Sequence, residues 1–130
     1  MKKTLILCFI TIASFSLISG CSSSETENIR IYEAVSFSEI KKESMKEIME
    51  TKEREVFFTA FNNASKNLGI VDTAYPHYRV KLEKKTYYLW LEDTGGKIMN
   101  VNDRNTTYSI DEKSAKDLNE IIKKLYMIKE

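Results

Sequence analysis

Cysteine is nearly absent from this sequence. Cys8 and Cys21 are the only two, and both precede the part of the chain that patterns as a folded domain. That part therefore has no disulfide, no cysteine nucleophile and no thiolate metal ligand. Histidine is scarcer still: His77 stands alone and cannot build a zinc site unaided. No Gly-x-Ser-x-Gly nucleophile elbow is present. Asp/Asn do not alternate around a glycine as a calcium loop requires; Asn100-Val101-Asn102-Asp103 gives only a loose cluster of oxygen donors. The chain has no excess of positive charge, with 20 Lys+Arg against 19 Asp+Glu, which argues against nucleic acid as a partner. The carboxylates Glu39, Glu43, Glu47, Glu50, Glu53 and Glu55 are interspersed with lysines, as on a solvated face. No internal repeat or low-complexity tract appears.

What is present begins at the N-terminus. Lys2 and Lys3 precede an apolar run from Leu5 to Leu17, which is too short for the roughly 20 residues of a membrane-spanning helix. Small residues follow, in Ile18-Ser19-Gly20-Cys21. The order is that of a secretory signal with a small-residue cleavage site. Ile18-Ser19-Gly20-Cys21 resembles the lipobox of bacterial lipoproteins. The resemblance implies that the Cys21 sulfur receives a diacylglyceryl group and that residues 1–20 are then removed. Of the 130 residues, 110 would remain, and loss of Lys2 and Lys3 would take the formal charge from +1 to −1. Ser22 to Asn28 reads as a polar tether spanning at most roughly 25 Å. Residues 29–130 read as a single domain held at the outer face of the cell membrane.

Within that domain, Ile29 to Val35 alternates as a first strand. Ser36 to Glu50 fits neither period and suggests a loop with a short edge strand. The spacing of Phe57, Phe61, Ala64 and Leu68 predicts a helix over Thr51–Leu68, with Thr51 able to cap its start and Gly69 its end. Phe58 lies off that stripe, under a loop or toward a partner. His77 to Leu82 and Tyr87 to Leu91 alternate as a hairpin turning at Lys84-Lys85, with Tyr78, Val80, Leu82, Tyr87, Leu89 and Leu91 on its inner face. Further strands are expected near Lys97 to Val101 and Thr106 to Ser109. Ser109-Ile110-Asp111-Glu112 matches a capping box. It opens a second helix with the stripe Ala115, Leu118, Ile121, Ile122 and Leu125. The expected class is α+β: an antiparallel sheet of about four or five strands with two amphipathic helices on one face.

Asp93-Thr94-Gly95 resembles the active-site triplet of aspartic proteases. That family places apolar residues before the aspartate, whereas Glu92 stands here, and Asp-Thr-Gly-Gly between strands is an ordinary turn. His77, after Pro76 at a strand entry, reads as a solvated or turn residue. Three further stretches are similar to the small YhfM-like lipoproteins of Gram-positive bacteria: Gly69 to Tyr78, Tyr88-Leu89-Trp90-Leu91, and Gly96-Lys97-Ile98-Met99 with Thr107-Tyr108-Ser109-Ile110. The resemblance implies a surface lipoprotein and contributes no catalytic residue.

The functional expectation is a lipid-anchored interaction or ligand-binding module, with no catalytic residue, cofactor or metal, whose partner is an anionic envelope polymer, a lipid headgroup or another protein. A hydrolase with an unrecognised site, and a precursor whose fragment Ala13–Gly20 signals, are the alternatives. In the expected register the outer face of the hairpin sets Lys81 opposite Tyr88 and Arg79 opposite Trp90, a cation beside each ring. Arg79, Lys81, Tyr88 and Trp90 are thus the candidate partner surface, unless Met99 and Val101 help bury Trp90 under a loop.

Overall fold

The computed structural model describes residues 28–68 and 73–127. The signal, the lipobox with Cys21, the tether up to residue 27 and the Gly69 cap lie outside the described residues. The described chain is α+β, with two helices and one seven-stranded antiparallel sheet. Its strands are β1 (Ile29–Glu33), β2 (Lys46–Ile48), β3 (Ser65–Lys66), β4 (Tyr78–Leu82), β5 (Lys85–Glu92), β6 (Gly95–Asn100) and β7 (Tyr108–Ile110). Across the sheet the order is β2-β1-β4-β5-β6-β7-β3. Four or five strands was too few. The edge strands β2 and β3 have three and two residues, too short to print an alternation on the sequence.

The centre of the sheet is a meander of hairpins from β4 to β7. Its alternating residues divide cleanly by side. Ile29, Ile31, Val80, Leu82, Leu89, Leu91, Ile98 and Ile110 all belong to one buried cluster. Both helices cover that face. From α2 (Glu112–Met127), Ala115, Leu118 and Ile122 enter the core, with Ile121 and Leu125 at its margin. From α1 (Thr51–Asn62), Phe57, Ala60 and Phe61 do so, and Phe58 packs against the same cluster. Phe61 meets Tyr87 of the sheet edge-on, ring centroids 5.3 Å apart.

α1 ends six residues earlier than the apolar spacing suggests. Ser65 and Lys66 leave the helix to pair with Ser109 and Tyr108 as β3, and Leu68 is 92% exposed instead of lying on a helical stripe. Thr51 is the first helical residue, and Glu50 holds the extended cap position without a side-chain hydrogen bond. At α2 the cap is likewise displaced: Ser109 is in β7, and the carboxylate of Asp111 accepts the Ser114 N–H at 2.7 Å. That hydrogen bond lowers the Asp111 pKa. Two-residue links join β2 to α1 and α1 to β3, so residues 46–66 form a strap from one edge of the sheet to the other.

The central hairpin turns one residue earlier than expected, which slides its pairing register by two. Glu83 and Lys84 form the turn, Leu82 pairs with Lys85, Val80 with Tyr87 and Tyr78 with Leu89. The shift is even, so every residue keeps its face while every partner changes. A two-residue connection demands a left-handed residue, and Glu83 supplies it at φ 56°. The next turn, Asp93-Thr94, is exposed. There glycine answers a close approach: a Cβ on Gly96 would lie 3.0 Å from the Trp90 carbonyl oxygen, and one on Gly95 would lie 3.3 Å from that of Ile110.

Candidate functional site

The face of the sheet without helices has its own smaller core. Tyr88, Trp90 and Met99 are buried there, with Phe37 and Val101 packed against them. Phe37 comes from the β1–β2 connection, which folds back over the sheet. Its ring meets Tyr88 edge-on at 5.2 Å and Trp90 at 6.3 Å. Its carbonyl accepts the Tyr88 hydroxyl at 2.8 Å and Arg79 Nη2 at 2.7 Å. Trp90 donates its Nε1–H to the Ala74 carbonyl at 3.0 Å. Trp90 and Tyr88 are each 6% exposed. The aromatic half of the expected partner surface is therefore floor, not platform, and Met99, Val101 and a loop do bury Trp90.

Cations remain around that floor. Arg79 stands opposite Tyr88, with its guanidinium carbon 5.7 Å from the ring centre. Lys97, not Arg79, stands opposite Trp90, its Nζ 5.5 Å from that ring. Arg104, from the β6–β7 connection, lies 4.5 Å from the Phe37 ring centre. Lys81 faces Thr86 and is exposed. Among the described residues none of these four cations forms an ion pair, and Arg79 Nε is buried without a hydrogen-bond partner. The even register shift keeps each residue's parity but moves Arg79 from Trp90 to Tyr88 and leaves Lys81 opposite Thr86, beside no ring. Lys97 was visible to the same parity argument one strand further on. Phe37 and Arg104 sit in irregular connections and left no periodic signal.

Beside Trp90 the same face carries a groove of about 490 Å³ lined by Asn67, Thr73, Glu92, Lys97 and Ser109. Its polar groups partly satisfy one another: Ser109 Oγ donates to Asn67 Oδ1 at 2.8 Å, and Asn67 Nδ2 donates to Thr107 Oγ1 at 3.1 Å.

The remaining sequence candidates occupy structural positions. His77 is exposed, and its Nδ1 accepts the Leu91 N–H at 3.0 Å. Asp93 is in the exposed turn and does not line the groove. Asn100 Oδ1 accepts Asn102 N–H and Asp103 Oδ1 accepts Asn105 N–H, so these donors organise a turn. Among the described residues no group of three or more His, Cys, Asp or Glu side chains is placed to hold a metal ion. No described helix is long and apolar enough to cross a membrane.

A family model described as YhfM protein matches residues 26–126. No curated protein and no solved structure matches the chain.

Proposed function

The chain belongs to the YhfM family, and from that premise we propose that it is a lipid-anchored binding module on the extracytoplasmic side of the cell membrane. In this reading Cys21 carries the lipid, and the helix-free face of the sheet is the binding face. The supporting observation is the set Arg79, Lys81, Lys97 and Arg104, four cations on one side of the molecule with no ion pair among the described residues. A structural face of a near-neutral chain ordinarily interleaves its signs, as the helical side does here with Lys124 beside Glu53 and Lys116 beside Glu112. Glu92 shares this face, lining the groove beside Lys97, but the cations outnumber it, and a net positive cluster favours an anionic partner and accelerates encounter with it. The rings beneath hold Arg79, Lys97 and Arg104 in place by cation–π contacts of about 0.5–1 kcal/mol each.

The anchor is tested by metabolic labelling with a radioactive fatty acid. The native chain takes up label, and Cys21→Ala takes up none and retains residues 1–20. Label on the alanine variant refutes the assignment. The face is tested by recovering cross-linked envelope components with the native chain and with Lys81→Glu/Lys97→Glu. Identical recovery removes this face from consideration.

A further inference from the structure

Resting on the reading that Cys21 is lipidated, we propose that the helix-free face docks flat on the anionic phospholipid surface that holds the anchor. Three observations converge. The first is charge. Arg79 and Lys81 on β4, Lys97 on β6 and Arg104 beyond it spread unpaired positive charge over the face. Among the described residues the one ion pair on this side, Arg30 with Glu47 at 3.9 Å, lies at the β1–β2 edge. An anionic leaflet attracts such cations within a Debye length.

The second is the company those cations keep. Tyr75 is 64% exposed and packs edge-on against Phe37 at 5.7 Å. The connection bearing Phe37 also exposes Val35 and Ile40. Apolar and aromatic side chains beside Arg and Lys suit the headgroup region, where a ring settles at the boundary and cations meet phosphates. A soluble anionic polymer would engage the charges and gain little from Tyr75.

The third is reach. Only the seven residues Ser22 to Asn28 separate Cys21 from β1, a span of at most roughly 25 Å. The anchor keeps the leaflet at high effective concentration, so weak contacts per side chain suffice.

Trp90 is the only tryptophan and lies just under this face, so it reports docking without a label. The full lipoprotein is purified in detergent and reconstituted into vesicles of phosphatidylcholine, with or without about one quarter phosphatidylglycerol. Each composition is prepared with and without phospholipid brominated near the headgroup end of its acyl chains. The expected result is bromine quenching of Trp90 that is at least twofold stronger with phosphatidylglycerol, falling to the phosphatidylcholine level near 1 M salt, where the Debye length shrinks to about 3 Å. Each cation removed weakens docking by about fivefold, so Lys81→Glu/Lys97→Glu abolishes the difference, while Lys113→Glu/Lys116→Glu on α2 preserves it. Equal quenching in both compositions, with the protein retained by the vesicles, overturns docking and leaves the anchor standing. A purified chain with unmodified Cys21 that vesicles do not retain overturns both. A change in Trp90 emission on adding poly(glycerol phosphate), without lipid-dependent quenching, assigns the face to an anionic polymer and refutes the proposal.

Discussion

Replacing Trp90 by alanine removes the largest side chain of the smaller core, and the cost separates a buried floor from an exposed platform. An aromatic of this size buries about 150–250 Å², and Trp90 is only 6% exposed. At about 25 cal/mol per Å² the lost burial comes to roughly 4–6 kcal/mol, close to the roughly 3–5 kcal/mol typical of core Trp→Ala changes. The Nε1 hydrogen bond adds little, because Ala74 is exposed and its carbonyl turns to water. Phe37 would lose one of the rings beneath it and Lys97 its cation–π partner. With a urea m-value of roughly 1–3 kcal/mol per M, a loss of about 4 kcal/mol lowers the unfolding midpoint by roughly 1.3–4 M. Because Trp90 is the only tryptophan, the transition is followed by far-ultraviolet circular dichroism. Trp90→Phe, which keeps a ring, should fall between the two. A loss below about 1 kcal/mol for Trp90→Ala would mean that the ring packs against nothing, and the description of this face would be wrong.

Alkaline pH should unfold the protein through its tyrosines. Burial chiefly, and then Glu33, push the Tyr126 hydroxyl well above the ordinary tyrosine value of 10.0; Tyr78 and Tyr87 are raised mainly by burial. The folded state keeps these protons longer than the unfolded chain does, so the stabilisation is intact below about pH 10 and declines as pH climbs beyond it. Tyr126→Phe should flatten that decline in urea midpoints measured from pH 8 to pH 11, and an unchanged slope would refute the assignment. Glu83→Gly should stabilise the domain by about 0.5–1 kcal/mol. It relieves a left-handed residue costing roughly 1–2 kcal/mol, less the roughly 0.4–1 kcal/mol of added freedom in the unfolded chain. A lower melting temperature in that variant would show that φ 56° at Glu83 carries no strain.

Side-chain spacing made the two helices and the inner face of the hairpin legible, because burial of Phe57, Phe61, Leu118 and Ile122 writes a helical period and Val80 and Leu89 write a strand's. Register was not legible. A shift of two residues leaves every side chain on its own face, so the pattern is the same whether Val80 pairs with Leu89 or, as observed, with Tyr87. Leu68 departs from its pattern for a related reason: its spacing from Phe61 and Ala64 is helical, but the ladder to Ser109 and Tyr108 captures Ser65 and Lys66 first. The cover over Trp90 was beyond local reading altogether, since Phe37 and Tyr88 are 51 residues apart and meet only after the chain has folded back.

The strap formed by β2, α1 and β3 has a consequence for how the molecule opens. Its ends are the two outermost strands, and its middle is a helix on the core face. The meander from β4 to β7 closes through short local loops, which form early and reopen independently. The strap has no such independence. Because two-residue links tie β2 and β3 to α1, loss of α1 would free both edge strands together and expose the β1 edge and the β7 edge in one event. Those edges are the backbone templates through which sheets from different molecules join. Resistance to self-association in this fold is therefore governed by the persistence of one twelve-residue helix, more than by either edge strand that it carries.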